Sequence, residues 1–230
     1  MEELVKKFFK IYCKFFKADV YVSLLYGREY KTIYAFMKVY NDSVLDTNIS
    51  GADSHEKLDE LSDIVDEYID NIKTNFSFFD EKEDYFDCEC NFDNLGFERL
   101  YAFMSNTTDI YEAFAKSYNQ LSKYEDATML HGLLIEYNNF LSHVIKYFCN
   151  ENDSSNLDRA TAHLYRGAID GYKEIIDDEK LLILPNGVLF SEFIEIRNDE
   201  VNLIGKKTSN DKIIIIDKYS TLCDGILSRY

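Results

Sequence analysis

Two stretches of the sequence carry titratable side chains at helical spacing. In the first, Glu136, Asn139 and His143 follow one another at intervals of three and four. In the second, Arg159 and His163 stand four apart, as do Arg166 and Asp170. Side chains three and four apart are neighbours on a helix surface, so each set forms a stripe. The residue types suit proton transfer or anion handling: a carboxylate or imidazole moves the proton, and a guanidinium holds a phosphate. If the two stripes face each other, Glu136, His143, His163 and an arginine converge in one cleft. The candidate catalytic residues are therefore Arg159, His163, His143 and Glu136, with Arg166 and Asp170 as candidate binding residues. A plainer reading competes with this one. Charges opposite an apolar face are what any bundle helix shows, and Arg166 with Asp170 then make an (i, i+4) ion pair worth roughly 0.2–0.5 kcal/mol.

The elements that must position these residues are two helices. Over 155–177, Leu157, Ala160, Leu164, Ala168, Tyr172 and Ile175 fall on one face at 3.6 residues per turn, opposite the Arg and His stripe. Ser155 with Asp158 provides a capping-box-like start. Gly167 and Gly171 lie inside this helix, where each costs about 1 kcal/mol relative to alanine. They share a side with Ala160, so close approach of a neighbouring helix is the expected compensation. The span 127–149 places Leu133, Leu134, Tyr137, Phe140, Leu141, Val144 and Phe148 on its apolar side. Only the polar residues 150–156 separate the two helices, a connection that predicts antiparallel neighbours.

Elsewhere the pattern is mixed. Residues 2–17 set Phe8, Phe9, Tyr12, Phe15 and Phe16 against Lys6, Lys10, Lys14 and Lys17, a basic amphipathic helix that could lie on a membrane, dock into a partner, or pack on its own core. The β-branched and aromatic runs 20–26 and 29–40, divided at Gly27 and Arg28, predict two strands. A loop over 42–54 precedes a helix to residue 72, and 76–79 with 85–90 offer a third and fourth strand. Residues 1–92 thus read as a small α+β unit, and 93–230 as a helical bundle. The bundle includes helices over 97–104 and 109–121, broken at Asn106-Thr107-Thr108, and a last helix over 212–227. Around Asn186-Gly187 the residues 181–190 suit a short hairpin, or Asn186 caps a helix over 188–203. The expected class is mainly α, and α+β overall.

Composition narrows the function. The chain of 230 residues has a formal charge of −17. Its first 17 residues hold five lysines against two glutamates, so the rest carries 20 basic and 40 acidic side chains. Polyphosphates are bound by neutralising them with Lys and Arg, so this body suits a basic protein partner rather than nucleic acid, or else the surplus charge serves only solubility. Five cysteines, an odd number without a charged-then-apolar leader, predict reduced thiols and a cytoplasmic protein. No run approaches the roughly 18–20 apolar residues that span a bilayer. Cys88-Glu89-Cys90 lacks a second pair at zinc spacing, and no phosphate-cradling loop or nucleophile elbow occurs. No metal or cofactor is expected.

A helical bundle with Arg159 and His163 one turn apart late in the chain resembles the HEPN group of prokaryotic defence and toxin proteins. Many of that group are metal-independent ribonucleases acting as dimers. The resemblance covers at most residues 93–230. Three residues, beginning with alanine, separate the pair here, where the family's motif has more. The resemblance implies a homodimeric ribonuclease using Arg159 and His163, with Glu136 or His143 assisting. The residues themselves favour a non-enzymatic regulatory or binding protein whose acidic surface meets a protein partner.

Overall fold

In the computed structural model the described residues are 2–45, 51–76, 86, 90, 97–123, 127–149, 153–178, 189–203 and 209–228. They form eight α-helices: α1 (Glu2–Tyr26), α2 (Tyr30–Val39), α3 (Gly51–Asn75), α4 (Phe97–Leu121), α5 (Ala127–Cys149), α6 (Ser155–Asp178), α7 (Phe190–Asn202) and α8 (Ser209–Leu227). A single wide π-helical turn, Tyr40–Leu45, follows α2. The chain groups into two compact units, one of residues 1–105 with 138–160 and the other of 106–137 with 161–230. Helices α4, α5 and α6 each contribute to both.

The first unit is built on the aromatic face of α1. Phe8, Phe9, Tyr12 and Phe15 are buried. Phe8 and Tyr12 meet Phe36 edge-on at 5.6 and 5.2 Å between ring centroids, and Phe9 meets Phe148 at 5.2 Å. Such edge-to-face pairs suit the aromatic quadrupole. The buried Tyr12 hydroxyl is 2.8 Å from the Asn138 carbonyl oxygen, to which it donates. On the outer side Lys7 pairs with Asp59 and Lys14 with Asp66. These pairs advance together along both helices, so α1 and α3 run parallel. The aromatic face of α1 is thus packed into the core of this unit.

The structure corrects the expected N-terminal α+β unit: among the described residues there is no strand. The run 20–26 continues α1, and 29–40 falls mostly in α2. Helical phase overrides β-propensity at both places. Ala18 and Val22 extend the buried stripe of Phe15, while Thr32, Ile33, Phe36, Met37 and Tyr40 are buried at the three- and four-residue intervals of a helix. The turn itself falls where expected. Gly27 has φ +82°, and its amide donates to the Ser23 carbonyl at 3.0 Å, closing α1 with a left-handed residue that glycine adopts without strain. The expected break at 106–108 is also absent: α4 runs through it, because buried Thr107 sits in phase with Leu100, Met104, Tyr111 and Phe114. The expected strands at 76–79 and 85–90, and the hairpin at 181–190, fall largely outside the described residues.

Just before that turn, Asp19 is only 1% exposed. Its Oδ2 accepts from Arg28 at 3.3 Å, while Oδ1 is buried without a hydrogen-bond partner among the described residues. Burial pushes the carboxyl above its ordinary 3.8; the Arg28 charge and the Glu29 amide draw it back only in part. The folded chain therefore holds this proton to higher pH than the unfolded one does, and the group's contribution to stability falls as pH rises through the window above 3.8. Asp19→Asn should lack this fall, so its stability relative to wild type, read from urea midpoints, should improve as pH rises across the window. A constant difference would contradict the assignment.

Cysteine pairing is a second correction. Cys90 and Cys149 are joined in a disulfide with their Cα atoms 4.8 Å apart, within the usual range. Cys13 is disulfide-bonded as well, while Cys223 is a buried thiol. An odd count and wide spacing in sequence predict reduced thiols, but folding brings together residues 59 apart in the chain. Among the described residues, no helix is long and apolar enough to cross a membrane.

The second unit packs the later part of α4 and the earlier part of α5 with α6, α7 and α8. Its core contains Phe114, Tyr137, Leu164, Ala168, Tyr172, Tyr219 and Ile226. Phe114 and Tyr137 stack with centroids 6.0 Å apart. Lys116 on α4 bonds Ser220 and Asp224 on α8, each at 2.7 Å.

Candidate functional site

Gly167 and Gly171 set the geometry of the candidate site. A Cβ on Gly167 would lie 2.6 Å from Phe114 Cε2 and 3.2 Å from Glu136 Cβ; one on Gly171 would lie 2.8 Å from Ser117 Oγ and 3.0 Å from Leu133 Cδ2. These are the close approaches expected of two costly glycines. As the α6 number rises from 167 to 171, the α4 contact rises and the α5 contact falls. In this unit α6 is therefore antiparallel to α5 and parallel to α4.

That register brings Glu136 beneath the polar stripe of α6. His163 Nδ1 is 2.6 Å from Glu136 Oε2, and Arg166 Nη1 is 3.2 Å from both carboxylate oxygens. An ionised carboxylate only accepts, so His163 carries its hydrogen on Nδ1 and donates. Arg166 Nη1 also lies 3.5 Å from His163 Nδ1, a contact of two donors that share one acceptor. Glu136, His163 and Arg166 thus converge. The other candidates do not join them. His143 belongs to the first unit, where its Nδ1 is 3.3 Å from Asn156 Oδ1. Arg159 is exposed in the first unit, and its charge helps to lower the pKa of Asp153. The larger causes of that lowering are the bonds that Asp153 accepts from the Ser155 amide and hydroxyl, at 3.0 and 2.9 Å. Asp153 thereby anchors the start of α6, a part the sequence pattern assigns to Ser155 and Asp158.

Beside the trio lies a groove of about 410 Å³ with Gly132, Leu133 and Gly167 in its walls. It holds three carboxylates, Glu136, Asp170 and Glu174, and one ammonium, Lys173. Asp170 is half-buried. Burial raises its pKa, and the charges of Glu136 and Glu200 add to this; Lys173 and Arg166 oppose the rise without cancelling it. The expected Arg166 and Asp170 pair is thus replaced in the main by Arg166 with Glu136.

Sequence reasoning missed a second cluster. Glu200 on α7 accepts from Lys173 at 2.7 Å and from the Tyr219 hydroxyl at 2.6 Å, and it pairs with Arg197. Arg197 in turn donates to the Tyr219 oxygen at 3.0 Å. Burial alone would raise Glu200, but these bonds together with the Lys173 and Arg197 charges lower its pKa. The sequence marks this cluster only by the spacing of three between Arg197 and Glu200, and Tyr219 lies within the apolar stripe of α8. The cluster ties α6, α7 and α8 together by hydrogen bonds to charged groups, which are individually stronger than neutral ones.

Chemically, Glu136 and His163 form an oriented carboxylate and imidazole pair beside a guanidinium. The adjoining groove, however, carries more negative than positive charge, and its lysine is already bonded to Glu200. It favours a cationic group over a phosphodiester. Among the described residues there is no group of three or more His, Cys, Asp or Glu side chains that could hold a metal ion. No protein family model, curated protein or solved structure matches the chain.

Proposed function

We propose that this chain is a non-enzymatic binding or regulatory protein whose acidic surface engages a basic protein partner. The observation that carries this reading is how the chain uses its cations. Lys14, Lys57, Lys116, Lys173, Lys218, Arg28, Arg166 and Arg197 are each held by a carboxylate of the same chain. Acidic residues outnumber basic ones by 42 to 25, so the surplus negative charge is left for solvent or a partner. Complementary charge steers and selects partners, and between exposed groups it is screened by salt. Capture of a partner from lysate should therefore weaken steeply as salt rises. Capture that is equal at low and high salt would count against the reading.

A second reading, a HEPN-like metal-independent ribonuclease, is favoured by one observation: the bond between His163 and Glu136, which orients an imidazole beside Arg166. In this reading His163 moves the proton and an arginine holds the phosphate. The carboxylates of Asp170 and Glu174 nearby weigh against an RNA substrate. Incubation of purified protein with RNA tests it; cleavage that is absent, or equal in wild type and His163→Ala, removes the reading.

A further inference from the structure

We infer that the groove between α7 and α8 is the docking site for a basic amphipathic helix of the partner protein. This inference rests on the acidic-surface reading and adds where the partner sits and what it presents. The two helices pack together within the second unit and enclose a groove of about 410 Å³. Its floor is apolar. Ile196 and Leu222 are 4% and 2% exposed, while Ile214, which also lines the groove, is left 53% exposed to water. Its rim is acidic: Glu192, Glu195 and Asp217 are all exposed. The lysine in the lining, Lys218, is held between Glu195 at 3.0 Å and Asp199 at 2.6 Å, so it neutralises chain carboxylates rather than inviting an anion.

An apolar floor inside a negative rim is the complement of one kind of surface. A helix that places leucine-like anchors at intervals of three and four, with lysine or arginine on the flanks, covers Ile214 and meets the three carboxylates together. A nucleic acid would bring its phosphates against an acidic rim whose lysine already serves Glu195 and Asp199. A purely ionic ligand would leave Ile214 in water, forgoing the gain that burial of apolar surface brings. Charge and hydropathy therefore select the same occupant.

The test is fluorescence anisotropy of the full chain with three labelled peptides of about 15 residues, near the length at which isolated helices become marginally stable. One is an amphipathic Leu/Lys helix, one a Leu/Glu helix of the same pattern, and one a Ser/Lys peptide of equal charge. The Leu/Lys peptide alone should bind at moderate salt. Ile214→Asp, and the double variant Glu192→Lys with Asp217→Lys, should each raise its Kd by about tenfold or more. Glu60→Lys with Asp63→Lys, the same change of charge on exposed α3 positions in the other unit, should change it by less than about twofold. Circular dichroism confirms the fold of each variant; if Ile214→Asp fails to fold, the exposed Glu192 and Asp217 pair carries the test. Equal weakening by the two charge variants overturns the groove but leaves the acidic-surface reading standing. Equal binding of the Ser/Lys and Leu/Lys peptides does the same. Failure of both basic peptides to bind overturns both. A dimer that Ile214→Asp converts to monomer makes a second copy of this chain the occupant, and overturns the inference.

Discussion

Phe36→Ala is expected to destabilise the first unit by about 3–5 kcal/mol, the usual cost of truncating a buried phenylalanine. Phe36 is 0% exposed, and its ring meets three rings of α1: Phe8 at 5.6 Å, Tyr12 at 5.2 Å and Phe15 at 5.4 Å. Two effects combine. The side chain's own transfer free energy is lost, and a cavity is left that the flanking rings fill only in part, because each is held elsewhere: Phe8 by Phe9 and Tyr40, and Tyr12 by its bond to Asn138. Against a total stability of roughly 5–15 kcal/mol, a loss of this size removes a large share of what holds the unit together. Urea denaturation followed by far-ultraviolet circular dichroism reads it. Tyr34→Ala, at a position of the same helix that is 38% exposed, should cost less than about 1 kcal/mol. If Phe36→Ala also cost under about 1 kcal/mol, the packing of α2 on α1 would be refuted.

The second large effect should appear with opposite signs at different glycines. Alanine in place of glycine inside a helix ordinarily stabilises by about 0.5–1 kcal/mol. Gly132→Ala on α5 and Gly225→Ala on α8 should show that gain, since a Cβ at either meets nothing within 4 Å. Gly167→Ala should instead destabilise, by about 1–3 kcal/mol. Its Cβ would lie 2.6 and 2.9 Å from two ring carbons of Phe114. That ring is fully buried and stacked on Tyr137, so it cannot swing clear without moving the core. The backbone must give, and with it the spacing that lets Glu136 reach His163 and Arg166. At Gly171 the tightest neighbour is the Ser117 hydroxyl at 2.8 Å rather than a stacked ring; displacing it costs its bond to the Phe114 carbonyl, so Gly171→Ala should also destabilise, but by less than Gly167→Ala. Thermal denaturation of the four variants decides the matter; a gain at Gly167 equal to that at Gly132 would refute close packing.

Periodicity made the later helices legible. The expected spans 127–149 and 155–177 match Ala127–Cys149 and Ser155–Asp178, because long stripes at intervals of three and four leave no other way to bury their apolar side chains. The glycines of α6 were legible for the same reason: an unfavourable residue inside a strong pattern signals a neighbour that needs the space. The N-terminal stretch misled because Val20 to Tyr26 and Thr32 to Tyr40 are rich in β-branched and aromatic side chains, and such propensity is weak against tertiary burial. At the site, helical spacing put His163 and Arg166 on one face but could not choose between Glu136 and Asp170 as the acceptor. That choice is made by the register between α5 and α6, which no single helix encodes. His143 and Glu136 share a helix at a spacing of seven, yet α5 passes from one unit into the other between them. No local pattern marks that passage.

That passage also bears on how the chain is made. The first unit takes residues 1–105 together with 138–160, so a nascent chain extended only to residue 105 lacks the Asn138 that accepts the Tyr12 hydroxyl and the Phe148 that meets Phe9. At about 5–20 residues per second, translation from residue 105 to Phe148 leaves the aromatic face of α1 incomplete for roughly 2–9 s. During that interval its apolar surface stays uncovered and open to a chaperone, and no single cut yields both units intact, since 1–160 holds the first, 106–230 holds the second, and the two fragments overlap.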